Sequence, residues 1–125
     1  MAKDDYRRIV CLMLTFLYAR LKGKTNKEPE EYLQPTTKDF PITEEYFNFV
    51  IGEIVDKGLI RGVNITKAWG GDIVGVSGIE NCRITSDGIE YLSENGSMRA
   101  ALEQLRNAAT LLPGMVATII DLLSP

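Results

Sequence analysis

A chain of 125 residues with 45% apolar and 25% charged side chains has the make-up of one globular domain, of a size that buries roughly two thirds of its unfolded surface. That balance excludes a chain disordered over most of its length, and no apolar run approaches the roughly 20 residues that span a bilayer. The net charge is −3 and histidine is absent; the first argues against a strong nonspecific nucleic-acid binder, and the second removes the commonest general base and metal ligand.

Residues 4–21 are predicted to be a helix. Ile9, Leu12, Met13, Phe16, Leu17 and Leu21 recur at three- and four-residue spacing and make one apolar face. Asp4 and Asp5 at its start and Arg20 and Lys22 at its end suit the helix dipole, and Gly23 stops it. Thr15, Arg20 and Lys22 interrupt the apolar run and no small-residue cleavage site follows, so no secretory leader is read here and a cytoplasmic protein is expected. Residues 24–41 are polar and broken by Pro29, Pro35 and Pro41; a single helical turn is expected over 29–33, with proline at its first position.

Residues 43–57 form the second predicted helix. Thr43 is a good N-cap, Glu44 and Glu45 fit the first turn, and Gly58 fits the left-handed position after the last. Tyr46, Phe47, Val50, Ile51, Ile54 and Val55 make a broad buried stripe. Residues 59–65 then alternate as a strand and 82–85 read as its returning partner. Together they predict one hairpin, with the glycine-rich stretch 66–81 as its long connection. A third helix follows over 87–95, capped by Thr85 or Ser86. A fourth is predicted over 97–112, with Met98, Leu102, Leu105, Ala109 and Leu112 in one stripe, before Pro113-Gly114 breaks it. Residues 115–123 are nearly all apolar.

Helix, short turn, helix and hairpin in this order predict an α+β fold, a winged helix-turn-helix with a small antiparallel hairpin as the wing and additional C-terminal helices. The domain is expected over 1–96, with 97–125 as a helical extension for packing or dimerisation. The stretches Ile42-Thr43-Glu44-Glu45-Tyr46-Phe47, Lys57-Gly58-Leu59-Ile60-Arg61-Gly62-Val63 and Ile84-Thr85-Ser86-Asp87-Gly88-Ile89-Glu90-Tyr91-Leu92-Ser93-Glu94-Asn95-Gly96 resemble the YjcQ family. The resemblance covers about residues 5–106. It implies a small winged-helix-like protein of bacterial or prophage origin, and it carries over no catalytic or ligand-binding residues. This chain departs from the family pattern in the longer proline-rich segment before Thr43 and in the apolar tail after Pro113.

Two readings of function stay open. As a DNA-binding transcriptional regulator, the chain would present helix 43–57 to duplex DNA with Asn48 placed to pair with adenine, and Lys38, Lys67 and Trp69 as flanking contacts. Residues 1–24 favour an anionic partner, with Lys3, Arg7, Arg8, Arg20, Lys22 and Lys24 against Asp4 and Asp5, a net +4. As a protein-interaction module it would use the acidic side of the same helix, Phe49, the wing with Trp69 and the apolar tail. A homodimer is expected, held through Met98, Leu102, Leu105, Leu112, Met115, Ile119 and Leu122. Cys11 and Cys82 read as reduced, packed thiols.

No enzyme is expected, and no cofactor or metal. The neighbours Glu30-Glu31 and Glu44-Glu45 diverge by about 100° on a helix. The glycines between 70 and 78 are too irregular for a phosphate loop, and Ser77 has no base beside it.

Overall fold

The computed structural model describes residues 5–108 and 111–124. Helix α1 (Asp5–Leu21) is its axis. A single buried stripe was expected on this helix, yet every residue from Ile9 to Leu17 is buried. A helix enclosed in this way must have walls on more than one side. Here they come from elements across the rest of the chain.

The proline-rich stretch supplies the first wall. Its single helical turn, α2 (Pro29–Tyr32), starts with proline at the first position, and the Glu31 carboxylate accepts the Glu28 N–H at 3.1 Å. The Tyr32 ring stacks on Phe16 at 4.4 Å between centroids, meets Phe40 edge-on at 5.3 Å, and Phe40 meets Phe47 edge-on at 5.8 Å. The Tyr32 hydroxyl donates to Asp39 Oδ2 at 2.6 Å. These four rings run from α1 to the next helix, and each such pair adds roughly 0.5–1.5 kcal/mol beyond burial.

Helix α3 (Glu44–Asp56) begins as its sequence predicts, with the Thr43 hydroxyl accepting the Tyr46 N–H at 3.1 Å. Phe47, Val50, Ile51 and Ile54 are buried, and Gly58 at φ +73° turns the chain out of the helix.

Four strands follow: β1 (Ile60–Arg61), β2 (Asn64–Lys67), β3 (Ile73–Ser77) and β4 (Arg83–Ile84). The expected single hairpin is corrected here. The chain makes two antiparallel ribbons, β1 with β4 and β2 with β3. Ile60 faces Ile84 and Arg61 faces Arg83 in the first. In the second, Asn64, Ile65 and Thr66 face Ser77, Val76 and Gly75, with an irregularity between Thr66 and Lys67. Residues 66–81, expected as a loop, therefore hold most of a second ribbon. Its cause is tertiary. Gly52, buried on α3, leaves a notch in which the Ile73 side chain sits, so close that a β-carbon at Gly52 would overlap it. A mid-helix glycine costs about 1 kcal/mol against alanine; here it draws β3 onto α3.

Thr85 caps helix α4 (Ser86–Glu94): its hydroxyl accepts the Gly88 N–H at 3.0 Å and donates to the Gly58 carbonyl at 2.5 Å. Asn95 Oδ1 accepts the Met98 N–H at 3.1 Å and opens helix α5 (Gly96–Leu105). The helix expected over 97–112 stops at Leu105. Leu111 is buried beyond that stop, and Pro113, read as a breaker, is the first residue of helix α6 (Pro113–Leu123). Ala109, placed in the expected stripe, lies outside the described residues.

Among the described residues, six α-helices and two two-stranded ribbons make a mixed α+β fold. α1 packs against α3, α4, α5, α6 and β4, so residues after 96 share one core with those before it. No helix among the described residues is long and apolar enough to cross a membrane.

Two predictions follow from this packing. Gly52→Ala is expected to lower stability by about 1–3 kcal/mol through overpacking. Ile73→Val, which removes the methyl that would overlap the new β-carbon, should recover part of that loss in the double variant. Urea unfolding of the four proteins measures the coupling, and strict additivity would mean that the notch is not occupied. Met115→Ala, at a fully buried position of α6, is expected to cost about 2–5 kcal/mol. Thermal midpoints of both wild type and variant should not change with protein concentration, because α6 packs on its own chain; a concentration-dependent midpoint would mean that α6 is shared between copies.

Candidate functional site

Glu45, Phe49, Glu53 and Asp56 follow one another at four- and three-residue spacing, which puts them on one side of α3. The β2–β3 ribbon, held at Gly52 by Ile73, faces that side with Lys67, Asp72, Ile73 and Val74. Helix and ribbon enclose a groove of about 470 Å³. It carries Glu45, Glu53, Asp56 and Asp72 against Lys67 alone. Lys67 Nζ lies 3.5 Å from Asp56 Oδ2 with both side chains about half exposed, an ion pair worth no more than about 1 kcal/mol. The remaining three carboxylates make no ion pair among the described residues.

Apolar surface borders the acids. Phe49 is 46% exposed, with its ring 6.3 Å from Tyr46 and 6.4 Å from Tyr6. Val74 is 62% exposed, and Trp69, the one tryptophan of the chain, stands wholly in solvent at the tip of the ribbon. A larger depression of about 590 Å³ lies beside Tyr46, between Thr36, Thr37, Pro41, Ile42 and Thr43. It has no ionised side chain in its lining, and its threonine hydroxyls are engaged with backbone: Thr37 donates to the Gln34 carbonyl at 2.9 Å and Thr43 accepts from Tyr46.

The four residues read as nucleic-acid contacts lie on three parts of the fold: the turn before α3, α3 itself and the ribbon. Lys38 is exposed in the turn before α3, whereas Lys67 pairs with the last residue of that helix. The 13 residues between span about 20 Å. Asn48 is half-buried on α3, and Trp69 belongs to the ribbon. The groove itself was not anticipated. Its helix side was visible as the spacing of Glu45, Phe49, Glu53 and Asp56, but its other wall depends on β3 folding back.

The residues expected to hold a dimer are placed differently. Met98, Leu102, Leu105, Met115 and Ile119 are all buried in the chain's own core, and Leu112 and Leu122 pack half-buried against it. α5 and α6 use most of this stripe to enclose α1.

Cys11 and Cys82 are free and buried. Burial pushes both thiols from 9.0 up to about 12, with Thr15 beside Cys11 and Arg83 beside Cys82 opposing the rise. Neither is a nucleophile at neutral pH.

The fold and its groove define a small mixed α+β protein built around one enclosed helix, with an acidic, aromatic-edged cleft where helix and ribbon meet. A family model described as YjcQ protein matches residues 14–109, and the chain belongs to the YjcQ family. No curated protein and no solved structure matches the chain. The matched region ends before α6 begins.

The thiols give a pH prediction. Unfolded thiols ionise near pH 9 while the buried pair stays protonated to about pH 12, so the contribution to stability is complete below pH 9 and is lost as pH rises from there to 12. Urea midpoints at pH 8 and pH 10 should show that fall. Alkylation of the folded protein should be slower than that of the urea-unfolded chain by about a thousandfold, the ratio of thiolate populations; equal rates would contradict the burial.

Proposed function

We propose that this protein is a non-enzymatic binding protein of the winged-helix type, and that the α3–ribbon groove takes a basic, partly apolar segment of another protein in preference to duplex DNA. α1, the turn α2 and helix α3 followed by the β2–β3 ribbon stand in the order of a winged helix-turn-helix, with the ribbon as wing; this step is an analogy of fold.

The observation that carries the choice of partner is the sign of the charge. A helix that reads DNA lies among phosphates, at one negative charge for each 1.7 Å or so of duplex axis. Glu45, Glu53, Asp56 and Asp72 would face that charge with Lys67 as the one cation, already paired to Asp56. Width argues the same way. A helix about 10–12 Å across just fits a major groove of about 12 Å, and α3 carries a ribbon along the side that bears the groove. Phe49, Val74 and Trp69 instead offer exposed anchors of the kind enriched where proteins meet, bordered by carboxylates suited to lysine and arginine.

Trp69 makes the test direct. A model amphipathic peptide of alternating lysine and leucine is expected to blue-shift its emission, and the double variant Glu45→Lys/Glu53→Lys should weaken that binding by about tenfold or more, some 1.4 kcal/mol. Random duplex DNA should leave the spectrum unchanged at low salt. The reading is overturned by DNA affinity that falls steeply with salt and is lost in Asn48→Ala or Lys67→Ala.

A further inference from the structure

A second groove, of about 360 Å³, opens where the C-terminal end of α1 meets the β1–β4 ribbon. Its charge is opposite to that of the α3 groove. Arg20 and Arg83 line it with Thr25 and Asn26, and no carboxylate does; Leu17, Leu21 and Ile84 give it an apolar floor. Leu21 is 60% exposed there, at the end of a helix that is otherwise mostly enclosed.

The ribbon carries a further arginine next to the groove, outside its lining. Arg61 stands directly opposite Arg83, both exposed, while their neighbours Ile60 and Ile84 are paired and buried on the other face. Like charges directly opposite each other in a ribbon repel, and neither arginine makes an ion pair among the described residues. Arg83 is steadied by backbone alone, donating to the Cys82 carbonyl at 2.8 Å and the Glu80 carbonyl at 3.5 Å. Arg20 is held by the Lys27 carbonyl at 3.0 Å and by Glu28 at 3.2 Å. The α1 carbonyls that would repel an anion here are capped: Lys22, Gly23 and Lys24 donate their N–H groups to Tyr18, Arg20 and Ala19.

We propose that this groove binds the phosphate ester of a nucleotide, free or within a single strand, with Arg83 on the phosphate, Arg20 beside it, Arg61 adding its charge from the neighbouring strand, and the base against the exposed Leu21. Guanidinium groups suit phosphate oxygens in paired geometry, and an apolar floor beside them accepts the face of any base. The site shares no residue with the α3 groove, so each stands or falls separately.

Fluorescence anisotropy of a labelled oligodeoxythymidylate at low salt tests it, with thymidine monophosphate and inorganic phosphate as competitors. The double variant Arg61→Gln/Arg83→Gln is expected to weaken binding by about tenfold or more and to flatten its salt dependence. Arg7→Gln/Arg106→Gln, which removes the same charge from exposed positions elsewhere, should leave it unchanged. Displacement by the mononucleotide at low concentration identifies a free nucleotide as the ligand, and resistance to it identifies a strand. The proposal is overturned by an equal loss in both double variants, by inorganic phosphate competing as well as the mononucleotide, or by no binding to the wild type.

Discussion

The enclosure of α1 is the constraint on which the rest of the molecule depends. Nine residues in a row, Ile9 to Leu17, are withdrawn from water, and no single partner helix can do that. One side meets α3 and the ring series Phe16–Tyr32–Phe40–Phe47; others meet α4, β4, α5 and α6. Even Thr15 is buried, with its hydroxyl 3.9 Å from Cys11 Sγ. The proline-rich stretch and the apolar tail after Pro113 both supply walls for this helix.

Local chemistry made several elements legible. Thr43 and Thr85 name helix starts because a side-chain oxygen can satisfy an orphan N–H, and each accepts such a bond here, whereas Asn95, which reads as the end of α4, also caps the start of α5. The stripe on α3 and the turn at Gly58 were likewise local. Elements set by distant packing were not. Ile73 and Val74 lie between glycines and read as turn, and only the notch at Gly52 makes a strand of them. Pro113 reads as a helix breaker and a helix starter alike, and the burial of Leu111 and Met115 against the body decides between the two.

The site was legible in its charges and illegible in its shape. An acidic side of α3 was expected; the structure puts Glu45, Glu53 and Asp56 on it. Which of Lys38, Asn48, Lys67 and Trp69 would share a surface was a question of how the ribbon lies on α3. The apolar stripe of residues 98–122 illustrates a more general ambiguity. A helix face that needs covering has the same periodicity whether its cover is the same chain or a copy, and here most of the face packs on α1.

α6 lies wholly beyond the stretch that identifies the family, yet Met115 and Ile119 are as inaccessible as any residue of α1. Recognition and collapse therefore have different limits in this chain. The segment by which its kinship is read stops near residue 109, while the oil-drop that excludes water runs ten residues further. Excision at the kinship limit would leave one flank of the central helix without its lid.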